Sequence, residues 1–228
     1  MLFVCSFALA TAGALSAAPT LPVISITQVE AKDADTYATW IARLNEVMKT
    51  KTGNERTFRI YSGDAAGPDS GALFAVSAAE SFSALAKNAR VHGEDPEAAA
   101  VRLHMNAIRE MGPRVLAKAV RFDGTHPGGH LYNHWVAVGD EAAYVKALDA
   151  LRALFDAHDL KDVKINAYRV VAGRTDATHL VSLNAPNAER QAAVLDAVAG
   201  EAWVAEWFAT TAKIRTVVRN GTYHEITR

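Results

Sequence analysis

The stretches DADTYATWIARLNEVM (residues 33–48) and DEAAYVKALDALRALF (residues 140–155) decide the fold of this chain. In both, apolar residues recur at spacings of three and four, which is typical of one face of an α-helix. Each stretch begins with an aspartate, Asp33 or Asp140, whose carboxylate can accept hydrogen bonds from the free N–H groups of a first helical turn. The residue numbers of the two aspartates differ by 107, as do those of Tyr37 and Tyr144. The same helix is therefore predicted twice.

The 107-residue offset continues beyond these helices. Tyr61 has its counterpart in Tyr168, and Leu73 has its counterpart in Leu180. Further matches are predicted at the two ends of helices. At a helix start, Ser77 with Glu80 forms a capping box, and Asn184 is the counterpart of Ser77. Gly112 and Gly221 follow the last helix of each half. A repeat of this kind indicates two copies of one unit of about 100 residues, fused head to tail.

Each predicted unit has the element order β-α-β-β-α-α-β. The units span residues 21–122 and 130–228, and the turn-forming segment 123–129 is the linker between them. Toward the end of each unit we expect two helices and a closing strand, at 78–91, 96–111 and 115–122 in the first unit and at 185–199, 201–219 and 222–227 in the second.

This order resembles a known architecture. A β-α-β-β-α-β order is the ferredoxin-like plan, an antiparallel sheet with helices on one face. The chain after about residue 21 resembles the dimeric α+β barrel superfamily in its antibiotic-biosynthesis-monooxygenase-like branch, whose members carry the extra helix. The resemblance rests on element order and duplication, and it implies an α+β fold in which two fused ferredoxin-like units pack their antiparallel sheets as a barrel. It also implies that active Asn, Trp, Tyr or His side chains lie between sheet and helices.

The N-terminal segment predicts export. Residues 2–15 are almost wholly apolar or small, and small residues follow to Ala18, as in a secretory signal peptide covering residues 1–18. The alternative is an uncleaved N-terminal anchor. Cleavage would give a periplasmic or secreted protein that is free of the membrane. It would also remove Cys5, the only cysteine, which excludes disulfides, Cys-ligated metals and a thiol nucleophile from the mature chain.

Composition narrows the classes of partner. Lys and Arg number 24 and Asp and Glu number 25, so the formal net charge is −1. Such a chain has no electrostatic footprint for nucleic acid or an anionic membrane. The dinucleotide glycine pattern and the serine nucleophile elbow are also absent, which weighs against nucleotide-binding enzymes and serine hydrolases.

The candidate site lies on the first strand of the second unit, LYNHW (residues 131–135). Side chains alternate along a strand, so Asn133 and Trp135 share one face and Tyr132 and His134 share the other. His134 is the predicted general base. The other candidates are catalytic Tyr168 and Asn133 and ligand-binding Trp135, Tyr132 and Asn166. The alternative is that they are ordinary sheet residues with satisfied hydrogen bonds. The first unit has plainer residues here, so we expect any pocket to be lined mainly from the second.

Two classes of function follow. One is a small cofactor-independent monooxygenase-like enzyme acting on a hydrophobic or aromatic small molecule. The other is a noncatalytic periplasmic ligand-binding or stress-related module. No motif identifies a cofactor, and the oligomeric state stays open between monomer and homodimer. No metal site is predicted: the spacing of four among His126, His130 and His134 would suit a helix, but Pro127 and the glycines after it forbid one.

Overall fold

The computed structural model describes residues 21–54, 57–174 and 176–227, so the predicted signal segment 1–18 lies outside the described residues. The first half contains β1 (Val23–Ala31), α1 (Ala34–Thr52), β2 (Phe58–Gly63), β3 (Leu73–Ala79), α2 (Phe82–Glu94), α3 (Pro96–Asn106) and β4 (Arg109–Arg121). The second contains β5 (His130–Val138), α4 (Glu141–Ala157), β6 (Lys164–Ala172), β7 (His179–Ala185), α5 (Ala188–Gly200), α6 (Ala202–Thr211) and β8 (Arg215–Glu225). Every sheet pairing within these ranges is antiparallel, which confirms the α+β class.

The eight described strands close into one barrel in the order β1-β3-β2-β8-β5-β7-β6-β4, and β4 pairs back onto β1. Two pairings join the halves of the chain. Strand β2 lies beside β8, with Tyr61 opposite Glu225. Strand β4 lies beside β6, with Ala119 opposite Tyr168. The last strand of each half thus lies between its own sheet and the sheet of the other half.

The repeated helices form where the periodicity predicts them. The backbone N–H of Thr36 donates to Asp33 Oδ1 at 2.6 Å, and that of Ala143 donates to Asp140 Oδ1 at 3.0 Å, so both aspartates are N-caps. The apolar face of α1 packs with β1, β2, β3 and α3, and that of α4 packs with β5, β6, β7, α5 and α6. The helices therefore cover the outer surface of the barrel. None of the helices in the described part of the chain is long and apolar enough to cross a membrane.

Two predicted helix starts are wrong. Strand β3 continues through Ser77 to Ala79, and α2 is capped by Ser81, whose Oγ accepts the N–H of Ala84 at 3.1 Å. In the second half Asn184 lies within β7, and Asn187 caps α5. Ser77 pairs with residues of both β1 and β2, so sheet pairing on two sides outweighs its capping ability.

The predicted helix ends at Gly112 and Gly221 are also wrong, because both glycines lie inside strands. The helices stop at Asn106 and Thr211, and β4 and β8 begin three and four residues later. At Gly221 the glycine is needed for a close approach, since a Cβ atom there would lie 2.7 Å from Cα of Ala66. Distant strand partners, which periodicity cannot reveal, extend these strands.

Candidate functional site

The inner faces of the strands enclose a cavity of about 390 Å³. Its lining combines aromatic, aliphatic and polar side chains. The aromatic members come from both halves of the chain: Tyr61, Phe74, Phe122, Trp135, Tyr168 and Tyr223. The prediction of a pocket lined mainly from the second half is therefore wrong. Closing the barrel sets the inner faces of both four-stranded sheets opposite each other, so both must line the space between them.

The structure divides the six predicted site residues between two faces. Asn133, Trp135, Asn166 and Tyr168 line the cavity. Tyr132 and His134 lie on the outer face of the sheet, where Tyr132 belongs to the apolar core under the helices and His134 contacts Phe208 of α6. Because side chains alternate across a strand, no rotation of His134 can bring its ring into the barrel. His134 and Tyr168 do not form one site, and His134 is not placed to serve as a base for a molecule in the cavity.

His134 is held as a neutral imidazole. It is 7% exposed, and burial, with a smaller effect of the nearby Arg215 charge, lowers its pKa to about 4. Its ring lies 4.3 Å from the ring of Tyr132, and its Nδ1 atom has no hydrogen-bond partner among the described residues. Burial also raises the pKa of Tyr132.

Tyr168 is a buried phenol in the cavity wall. It is 6% exposed, and burial raises its pKa far above the ordinary value for tyrosine. Proximity to Tyr61 raises this pKa further, whereas Arg59 lowers it. Tyr168 is therefore protonated at neutral pH and can donate a hydrogen bond to an oxygen atom in the cavity.

The two asparagines of the predicted site differ in their bonding. Asn166 donates to the carbonyl of Gly124 at 2.8 Å and accepts the N–H of Asp123 at 2.9 Å, so it fastens the linker to β6. The side chain of Asn133 makes no hydrogen bond with the described residues, and its Oδ1 atom is buried. The amide of Asn133 is therefore available to a bound molecule.

The cavity also contains charged residues that were not among the predicted site residues. Arg219 Nη2 lies 2.8 Å from Asp69 Oδ2, and Arg174 binds Asp176 through two hydrogen bonds of 2.5 and 2.7 Å. The Arg174 guanidinium also lies 4.3 Å from the centre of the Trp135 ring. Asp69 and Arg219 come from opposite halves of the chain, so no local pattern could have paired them. Arg174 and Asp176 resemble an ordinary polar turn between two strands.

The space between sheet and helices in the second half holds an apolar core and, beside His134, a void of about 30 Å³. This volume suits one or two water molecules. A porphyrin would not fit, so His134 is not placed to ligate a haem there. No group of three or more metal-ligating side chains occurs in ranges 21–54, 57–174 and 176–227.

Comparison with known proteins agrees with the barrel. No model of a known protein family matches the sequence, and no curated protein matches it. Among solved structures, a candidate monooxygenase from Fusobacterium nucleatum superposes with a TM-score of 0.56 at 9% identity, covering 90% of this chain and 92% of that one. A candidate monooxygenase from Lactobacillus acidophilus gives 0.54 at 9% identity, with coverages of 90% and 93%. A mutant chlorite dismutase from Candidatus Nitrospira defluvii gives 0.51 at 10% identity, with coverages of 91% and 92%. The resemblance to α+β barrels is thus confirmed at the level of fold.

Proposed function

We propose that this protein binds a hydrophobic, aromatic small molecule inside the barrel and acts on it as a monooxygenase-like enzyme without a cofactor. The observation that carries the proposal is the cavity of about 390 Å³, in which aromatic side chains lie around the amide of Asn133, whose Oδ1 atom has no hydrogen-bond partner among the described residues. Ligand sites commonly have volumes of this size and combine apolar surface with polar groups that fix the orientation of the ligand. The names of the two candidate monooxygenases with similar folds support the enzymatic part.

Three side chains would bind the substrate and assist the reaction. Trp135, backed by the Arg174 guanidinium, offers an aromatic surface against which a planar molecule can stack. Asn133 orients the molecule through its amide. Tyr168, kept protonated, donates to an oxygen atom that gains negative charge during the reaction. In a reaction without a cofactor the substrate supplies all the electrons, so an activated CH₂ group and O₂ give a carbonyl group and water.

The proposal is tested by screening aromatic compounds for a change in tryptophan fluorescence that is lost in Trp135→Phe, followed by oxygen-electrode assays with each compound that binds. Asn133→Ala should weaken binding by about tenfold, the usual worth of one hydrogen bond in a site that excludes water. Tyr168→Phe should lower turnover while leaving affinity nearly unchanged. The matched control is Tyr132→Phe, since Tyr132 lies on the same strand as Asn133 but outside the cavity. Equal effects of Tyr168→Phe and Tyr132→Phe would contradict the proposed site.

The second candidate function is a noncatalytic ligand-binding module. It is favoured by the ion pairs of the cavity, because Arg219 and Arg174 bind the carboxylates of Asp69 and Asp176, and the hydrogen bond from Arg174 lowers the pKa of Asp176. The same screen separates the two functions. Binding without oxygen consumption or change of the compound supports the module, and binding with stoichiometric oxygen consumption supports the enzyme.

We also infer that the chain arose by duplication. Equivalent elements begin 106 or 107 residues apart throughout, from β1 and β5 at residues 23 and 130 to β4 and β8 at residues 109 and 215. A circular permutant that starts at residue 130 and returns through residues 21–122 should then fold to the same barrel. A permutant without the native circular-dichroism spectrum and cooperative melting would oppose this inference.

Export is proposed from the apolar pattern of residues 1–18. Mass spectrometry of the protein recovered from the periplasm or medium should then find a mature N-terminus near Ala18. Full-length chain retained in the cytoplasm would contradict this part of the proposal.

A further inference from the structure

Arg215, the first residue of β8, is a buried arginine outside the barrel cavity. It is 7% exposed and lies under the helices of the second half. Three aromatic rings surround its guanidinium, whose Cζ atom lies 5.7 Å from the ring centre of Tyr144, 5.0 Å from that of Trp207 and 4.8 Å from that of Phe208. The negative faces of these rings attract a cation, which explains in part how the charge is tolerated.

The guanidinium has no anionic partner among the described residues. Its Nε atom donates to Thr211 Oγ1 at 3.3 Å, and its terminal nitrogens make no hydrogen bond with the described protein groups. Burial lowers the pKa of Arg215, whereas proximity to Tyr144 has a small opposing effect. An arginine remains charged even so, because its ordinary pKa lies above about 12. The terminal nitrogens of Arg215 are free to bind a further acceptor, and a cation in a largely buried position normally has a counter-ion.

The void of about 30 Å³ provides space for one. Arg215 and His134 both line it, together with aliphatic side chains of β7 and of the helices. His134 Nδ1 is buried and has no partner among the described residues, so a second polar atom of the same pocket is also unsatisfied. Arg215 and His134 lie on the paired strands β8 and β5, and both line a space of the size of one small ion or two water molecules.

We propose that this pocket binds a single small monovalent anion in contact with Arg215 and His134. The apolar walls favour an anion that loses its water easily, such as bromide or nitrate, over strongly hydrated fluoride or a divalent ion such as sulfate. A guanidinium is itself weakly hydrated and presents flat pairs of N–H donors, which suits such an anion. The site is separate from the barrel cavity and does not depend on the function proposed for that cavity.

The first test is the melting temperature of the purified full chain in sodium bromide, nitrate and fluoride at equal ionic strength. In the wild-type protein bromide and nitrate should raise Tm relative to fluoride by about 3–6 °C at tenfold the dissociation constant, since they bind the folded state alone. Arg215→Met should abolish this difference. Arg90→Met is the matched control, because it also removes one positive charge but from an exposed position, and it should keep the wild-type response.

The second test uses the wild-type protein alone, in case Arg215→Met does not fold. Crystals grown or soaked in bromide should show an anomalous peak in contact with the Arg215 guanidinium. Absence of that peak, or equal anion responses of the wild type and Arg215→Met, would overturn the proposal and leave the aromatic rings as sufficient compensation for the charge. Anomalous peaks confined to the protein surface would count as the same negative result.

Discussion

Acidification should destabilise this protein through His134. The unfolded chain binds a proton on this imidazole below a pH of about 6.5. The folded protein binds it only below about 4, because burial and the Arg215 charge lower the pKa there. The contribution of neutral His134 to the unfolding free energy is therefore fully present above pH 6.5, decreases between pH 6.5 and 4, and is lost below pH 4. The pKa difference corresponds to about 3 kcal/mol, of which about 2 kcal/mol is lost by pH 5.

The assay is urea unfolding followed by circular dichroism at pH 8, 7, 6 and 5, for the wild type and for His134→Gln. The glutamine variant cannot titrate at this position, so the difference in unfolding free energy between the two proteins should change by about 2 kcal/mol between pH 8 and pH 5. The value at pH 8 measures the cost of the substitution itself, because His134 is neutral in both states there.

His92 also contributes to the pH dependence of stability between pH 6.5 and 4, and its contribution must be the same in both proteins. Burial lowers the pKa of His92 to about 4 as well, but this residue is more exposed than His134. His92 is present in both proteins, so its contribution disappears from the difference. A free-energy difference that stays constant from pH 8 to pH 5 would refute the reasoning, because it would mean that His134 protonates equally well in both states.

Three further predictions concern stability. Leu148→Ala, at a fully buried position under the second sheet, should lower the unfolding free energy by about 2–5 kcal/mol in urea titrations, whereas Leu103→Ala, at a position that is 72% exposed, should change it by less than about 0.5 kcal/mol. Gly173→Ala should lower Tm far more than Gly124→Ala. Both glycines have positive φ, but only at Gly173 would a Cβ atom meet a backbone carbonyl oxygen, that of Arg114 at 1.9 Å. Equal decreases in Tm would contradict this prediction. Asp33→Ala removes an N-cap and should lower the midpoint of urea unfolding, and an unchanged midpoint would mean that the cap does not stabilise the fold.

The helices could be predicted because their signals are local. Tyr37 and Ile41 repeat on one face of α1 and are fully buried, as are their counterparts Tyr144 and Leu148 in α4. The ends of elements could not be predicted in the same way. At Gly221 the sequence reads as a helix end, but the partners that make it part of a strand lie on β5, about 90 residues away, and on the loop near Ala66.

The sequence predicted which side chains of the candidate site share a face of the strand, but not which face lines the cavity. Alternation correctly separated Asn133 and Trp135 from Tyr132 and His134, since it needs only the strand itself. Which of these two faces looks into the barrel depends on where the helices pack, and that is a property of the whole fold. The ion pair of Asp69 with Arg219 joins residues 150 positions apart, so only the closed barrel brings them together.

The strand order of the barrel also dictates when the protein can finish folding. On its own the first half would form the sheet β4-β1-β3-β2, with β4 and β2 as unpaired edges. The partner of β4 is β6, but the partner of β2 is β8, which is made last of the eight described strands. Until residues 215–225 have been made, the growing chain carries an exposed strand edge of the kind that promotes aggregation. Synthesis of this barrel therefore leaves a long interval in which a chaperone, or passage across a membrane before folding, would protect the chain.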